Sequence, residues 1–92
     1  MEFSNALKAY IRKRDAATEG LNKCEPMKLP EELEQLGYEL IDSEFFGEGK
    51  EQHRFLVYQK EKHMAVYTEV YVEREGGLYY QNLFTSDGKA PA

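Results

Sequence analysis

Apolar residues recur along this chain at two periods, and the change of period divides it in two. At 100° per residue, Phe3, Leu7, Tyr10, Ile11, Ala17 and Leu21 fall on one stripe, with the stem of Arg14 along it. Lys8, Arg12, Asp15 and Glu19 fall on the opposite side. Ser4 suits the N-cap and Gly20 the residue that ends the helix, while Ala6, Ala9, Ala16 and Ala17 favour helix by propensity. The pattern predicts an amphipathic helix over residues 4–19 that must pack on something. Residues 22–29, bounded by Pro26 and Pro30, read as a connector. Pro30 then opens a short helix over 30–36, which Gly37 stops, and Glu31 and Glu32 oppose the positive end of its dipole.

Beyond residue 37 the helical period is gone. Strands are predicted over about 38–46, 54–60, 64–74 and 78–85, with residues 86–92 as a tail of turn composition that frays. Gly47-Glu48-Gly49-Lys50 opens a flexible turn, residues 61–63 a short one, and Gly76-Gly77 is the strongest hairpin signal. The second strand holds a continuous run, Phe55-Leu56-Val57-Tyr58, the mark of a strand covered on both faces. Either the short helix or a partner chain must supply the second cover. The third strand alternates instead, with Val66, Thr68, Val70 and Val72 against Tyr67, Glu69, Tyr71 and Glu73.

A two-residue Gly76-Gly77 loop would set Val72 opposite Gln81, Val70 opposite Leu83, Tyr71 opposite Asn82, Glu73 opposite Tyr80 and Glu69 opposite Phe84. One face would then carry Val66, Val70, Val72, Leu83 and Tyr79 as core beneath the first helix. The other would carry Tyr67, Tyr71, Tyr80 and Phe84 among Glu69, Glu73 and Asn82. Consecutive strands tend to neighbour each other, so the expectation is α+β: an N-terminal amphipathic helix and a short second helix packed on a four-stranded antiparallel meander. All 92 residues fit one domain.

Charge is unevenly laid out. Residues 1–30 hold six bases and four acids, a net of +2, and the other 62 hold six bases and thirteen acids, a net of −7. Between Glu31 and Glu51, eight acids face only Lys50. Such acidity disfavours nonspecific nucleic-acid binding. The longest apolar runs fall far short of the ~20 residues that span a bilayer, and no signal-type apolar segment opens the chain. A single cysteine, Cys24, cannot close an internal disulfide, so a cytoplasmic setting is expected.

Chemical motifs are sparse. His53, His63 and Cys24 lack metal-ligand spacing, so no metal site is expected and the histidines read as surface residues. Cys24 carries no signature of a Cys–His site, and Ser4, Ser43 and Ser86 sit in no nucleophile elbow. The glycine pair at 47 and 49 lacks a third glycine and has acids that would repel phosphate. Carboxylates are too numerous for one acid–base pair to stand out. No cofactor is implied, and the chain reads as non-enzymatic.

Two binding readings remain. Exposed sheet aromatics can stack nucleic-acid bases, but Glu69 and Glu73 interleave them here, so a nucleic-acid regulator would have to use Lys8, Arg12 and Lys13 on the first helix. Protein recognition suits the same surface better, because tyrosine buries much area at low entropy cost. The expected partner-binding set is Tyr67, Glu69, Tyr71, Glu73, Tyr80 and Phe84. A homodimer through this face or an open edge strand is a variant of that reading. The favoured function is an inhibitor or adaptor that occludes a partner surface. In size and charge it resembles the phage-encoded proteins that block bacterial nucleic-acid-handling defence complexes, anti-CRISPR proteins included. That resemblance is one of class, carried by no motif.

Overall fold

The computed structural model describes residues 3–25, 27–73 and 78–91. Helix α1 (Asn5–Ala17) is followed by β1 (Asn22–Lys23), α2 (Pro30–Gln35), β2 (Glu39–Glu48), β3 (Glu51–Lys60), β4 (His63–Val72) and β5 (Leu78–Thr85). The strands form one antiparallel sheet in the order β1-β5-β4-β3-β2. The fold is α+β with a meander, as the hydrophobic pattern requires.

Several boundaries differ from expectation. The sheet has five strands, because Asn22 and Lys23 of the expected connector pair with Thr85 and Phe84. Two residues carry no periodicity, so sequence gave no sign of this strand. β2 and β3 extend through the expected glycine turn to a tight link at Gly49-Lys50, and β4 stops at Val72. Residues 86–91 form a turn on the sheet's end: the Lys89 N–H donates to Asp87 Oδ1 at 3.0 Å, and the Thr85 hydroxyl donates to the Lys89 carbonyl at 3.1 Å.

The expected β4–β5 register is wrong by three positions. Val72 faces Leu78, Val70 faces Tyr80, Tyr67 faces Leu83 and Val66 faces Phe84. Residues 73–77 separate the last pair, so the link is longer than two residues; the Gly76-Gly77 loop lies outside the described residues. An odd shift moves every β5 side chain to the other face relative to β4. Burial explains why this register wins. It places Phe84 beside Val66 under α1 and puts Leu83 beside Tyr67 on the opposite face.

The sheet is covered on both sides. On one, α1 packs across β2 and β3, and Tyr10, Phe55, Val57 and Val66 are buried with Leu7, Ile11, Phe46 and Val70 around them. On the other, Leu33 of α2 and Cys24 of the connector seal Leu56, Tyr58, Ala65, Tyr67 and Leu83. Each large side chain so buried contributes ~1.5–3 kcal/mol. Phe55 to Tyr58 are therefore buried on both faces, and the second cover is the short helix with the connector. β4 is double-sided too, with Ala65, Val66, Tyr67 and Thr68 all buried, which its alternation concealed. Of the predicted valine core, Val66 is fully buried while Val70 and Val72 are half-buried; Phe3 lies outside the core.

Charges from the sheet finish both helices. α1 has no acid in its first turn, yet the Ala6 N–H donates to Glu48 Oε2 at 3.1 Å and the Ser4 hydroxyl donates to Glu51 Oε1 at 3.0 Å. Ser4 also accepts the Leu7 N–H at 3.0 Å, the expected cap. α2 has no base in its last turn, and Lys60 Nζ donates to the Leu36 carbonyl there at 2.6 Å.

Candidate functional site

The six residues expected to form one partner-binding face do not share one. Tyr67 is a core residue, 1% exposed, with its hydroxyl accepting from Gln81 Nε2 at 2.9 Å and the Arg54 guanidinium 5.8 Å above its ring. Desolvation, reinforced by the Glu69 charge, pushes its phenol above the ordinary tyrosine range. Tyr71 and Glu69 follow on the same face, half-buried, with Glu69 Oε2 3.1 Å from Arg54 Nε. Tyr80 and Phe84 point to the α1 side instead, since they pair with Val70 and Val66. Glu73 is exposed past the end of β4, and its N–H donates to the Lys50 carbonyl at 2.8 Å.

What the fold leaves open is the β2 side of the sheet. β2 is the terminal strand of the order, and all its residues except Phe46 are exposed. Leu40, Ile41 and Phe45 are 47%, 51% and 63% exposed, among Glu39, Asp42, Glu44 and Glu48. A bulge between Leu40 and Asp42 breaks the β2–β3 ladder, which then runs regularly to Glu48. Next to Phe45 a depression of about 210 Å³ is lined by Gln52, Arg54, Glu69 and Tyr71. Sequence reasoning missed Leu40, Ile41 and Phe45. The available signal was the meander itself, whose first long strand has no predicted neighbour on its outer side.

The α1 bases are also divided. Lys8 and Arg12 are exposed. Lys13 turns to the sheet, where Nζ is 2.7 Å from Asp42 Oδ2 and 3.4 Å from Glu44 Oε1. The Asp42 contact raises the lysine pKa and lowers that of the aspartate. Of the three bases expected to contact nucleic acid, Lys13 is thus held in an internal ion pair.

His53 is not a surface residue: it is fully buried, stacked on Tyr10, with Nε2 2.5 Å from Glu51 Oε1. Ser4, Glu51 and His53 therefore stand together, but the carboxylate oxygen lies between the other two and no hydrogen bond joins His53 to the hydroxyl. A nucleophile needs its base within hydrogen-bond reach, so this cluster anchors a helix. His63 is exposed. Cys24 is buried, and desolvation raises its thiol pKa, opposite to what a reactive thiolate needs. Among the described residues no three His, Cys, Asp or Glu side chains converge as a metal site. A cleft of about 480 Å³ between the β3–β4 turn and the C-terminal turn mixes signs, with Lys60, Lys89, Glu61 and Asp87 on its walls.

No protein-family model, curated protein or solved structure matches this chain. Among the described residues, no helix is long and apolar enough to cross a membrane.

Proposed function

We propose that this chain is a non-enzymatic protein-binding module, an inhibitor or adaptor that works in the cytoplasm by covering a surface of its partner. One observation carries the reading: a ten-residue edge strand, β2, exposed along nearly all its length, with Leu40, Ile41 and Phe45 set among four acids. Exposed aromatic and aliphatic anchors beside charge are what a specific contact needs. The acids suit a basic partner surface, such as the nucleic-acid groove of a defence complex, which keeps the analogy with phage-encoded inhibitors in play. The tyrosine–glutamate hairpin no longer serves as the interface, because Tyr67 is core and the remaining residues are split between faces.

The test is capture of a partner by the tagged chain from its host, compared across two surface variants. The Leu40→Ser/Phe45→Ser double variant alters only exposed side chains and should fold normally. It is expected to lose the partner, whereas Lys8→Glu/Arg12→Glu retains it. Equal capture by the β2 variant overturns the assignment. Loss confined to the helix variant returns the function to nucleic-acid contact through α1.

A further inference from the structure

We infer that the outer edge of β2 takes a basic, extended segment of a partner protein as a sixth strand, with bases alternating with apolar residues. The inference rests on the protein-binding reading above and adds how the partner is held and what it looks like.

The two ends of the sheet are built differently. At one end β1 covers the last part of β5, the Cys24 N–H donates to the Leu83 carbonyl at 2.9 Å, and Asn22 Nδ2 reaches the Ser86 carbonyl at 3.4 Å. The part of β5 left beside it, residues 78–82, is short and uncharged. At the other end β2 pairs with β3 on its inner side only, and no strand among the described residues lies on its outer side, so its outward N–H and C=O groups form a template for another strand. The bulge confines regular pairing to residues 42–48.

Charge selects the occupant. Glu39, Asp42, Glu44 and Glu48 lie on β2; Lys13 is the one base paired with them among the described residues, at Asp42 and Glu44, while Glu48 accepts the Ala6 N–H of α1. A second copy pairing antiparallel along this edge would bring these acids against themselves, and like charges across strands are destabilising. The acids that keep out a second copy favour a strand of lysines and arginines.

The two faces of β2 then dictate the partner's pattern. Asp42, Glu44 and Glu48 pair with Val57, Phe55 and Glu51 and so lie on the α1 side, while Phe45 pairs with Arg54 on the other. Cross-strand neighbours share a face. An added strand therefore meets carboxylates on one side and Phe45 with its depression on the other, which calls for alternation of base and apolar residue.

The experiment titrates the full chain with a synthetic peptide alternating lysine and valine, following backbone amides by NMR. Two controls accompany it: glutamate in place of lysine, and proline in place of valine, which keeps the charge but cannot form a strand. Expected are slowed exchange at outward-facing amides of residues 42–48 with the lysine–valine peptide alone, and roughly tenfold weaker binding as the Debye length falls from about 30 to about 8 Å. Equal binding of the proline peptide overturns strand addition while leaving an acidic protein-binding surface. Amides of β2 already protected in the free chain, with twice the expected mass, overturn it in favour of a second copy. No binding by any peptide overturns it too. Retained capture of a partner through Leu40 and Phe45 would then show that the broader reading stands without it.

Discussion

The imidazole of His53 lies against the ring of Tyr10, with centroids 4.6 Å apart and 27° between the planes. Its Nε2 meets Glu51 Oε1, the same oxygen that accepts the Ser4 hydroxyl at the start of α1. One carboxylate thereby ties a buried strand histidine to the helix cap, and α1 is held to the sheet at both points. Glu51→Ala should cost ~1–3 kcal/mol, because it strands a buried ring nitrogen. Ser4→Ala should cost ~1 kcal/mol as an ordinary cap loss. Denaturant unfolding of both single variants and the double variant checks the coupling; strict additivity would mean that the shared oxygen links nothing.

Tyr67 and Tyr71 look equivalent in sequence and are not in the fold. Tyr67→Ala should destabilise by ~3–5 kcal/mol, as expected when a large ring leaves a sealed core. Tyr71→Ala, at a half-buried position, should cost far less. Thermal unfolding of the two variants decides it, and similar losses would contradict the burial difference.

Tyr38, Tyr58 and Tyr67 all have phenols pushed upward, chiefly by desolvation. Their folded pKa values lie above the unfolded value of about 10. The contribution they make to stability is complete below that value and is lost as pH rises through the folded pKa. Alkaline unfolding should therefore accompany their ionisation. An ultraviolet titration in which all seven tyrosines ionise together while the chain stays folded would contradict this.

Lys13 and Asp42 act in opposite pH ranges. The depressed Asp42 pKa means that its contribution is present above the ordinary aspartate value and fades as pH falls through the folded one. The raised Lys13 pKa means that its contribution is lost only as pH rises through the folded lysine value. Both side chains are exposed enough for salt to weaken the pair. The Lys13→Met variant should flatten the acid limb of stability slightly at low salt, with no difference at high salt.

Gly88 has φ +71°, and a Cβ there would stand 3.1 Å from the Asn22 Cβ. Gly88→Ala should cost more than ~1 kcal/mol, since strain and crowding against β1 combine. Gly49, at φ +60° with open space around it, should show strain alone. Amide exchange at Cys24, which bonds to β5 beside β1, should quicken only in the Gly88 variant.

The sequence by itself determined the α+β class, both helices and the four long strands, because these rest on local period: 3.6 residues along α1, a continuous apolar run in β3, and proline and glycine at the ends of α2. It also indicated, from Phe55 to Tyr58, that the sheet has two covered faces. Tertiary structure alone decided the β4–β5 register, the placement of Tyr67 in the core, the burial of His53 and the partner of Lys13. Each of these depends on which residues lie across a strand or beneath a helix, and a one-residue change of pairing leaves local periodicity untouched while reversing the faces. The exposed edge of β2 belongs to the same group. Its acids and aromatics are plain in the sequence, but only the strand order shows that, among the described residues, no strand lies on its outer side.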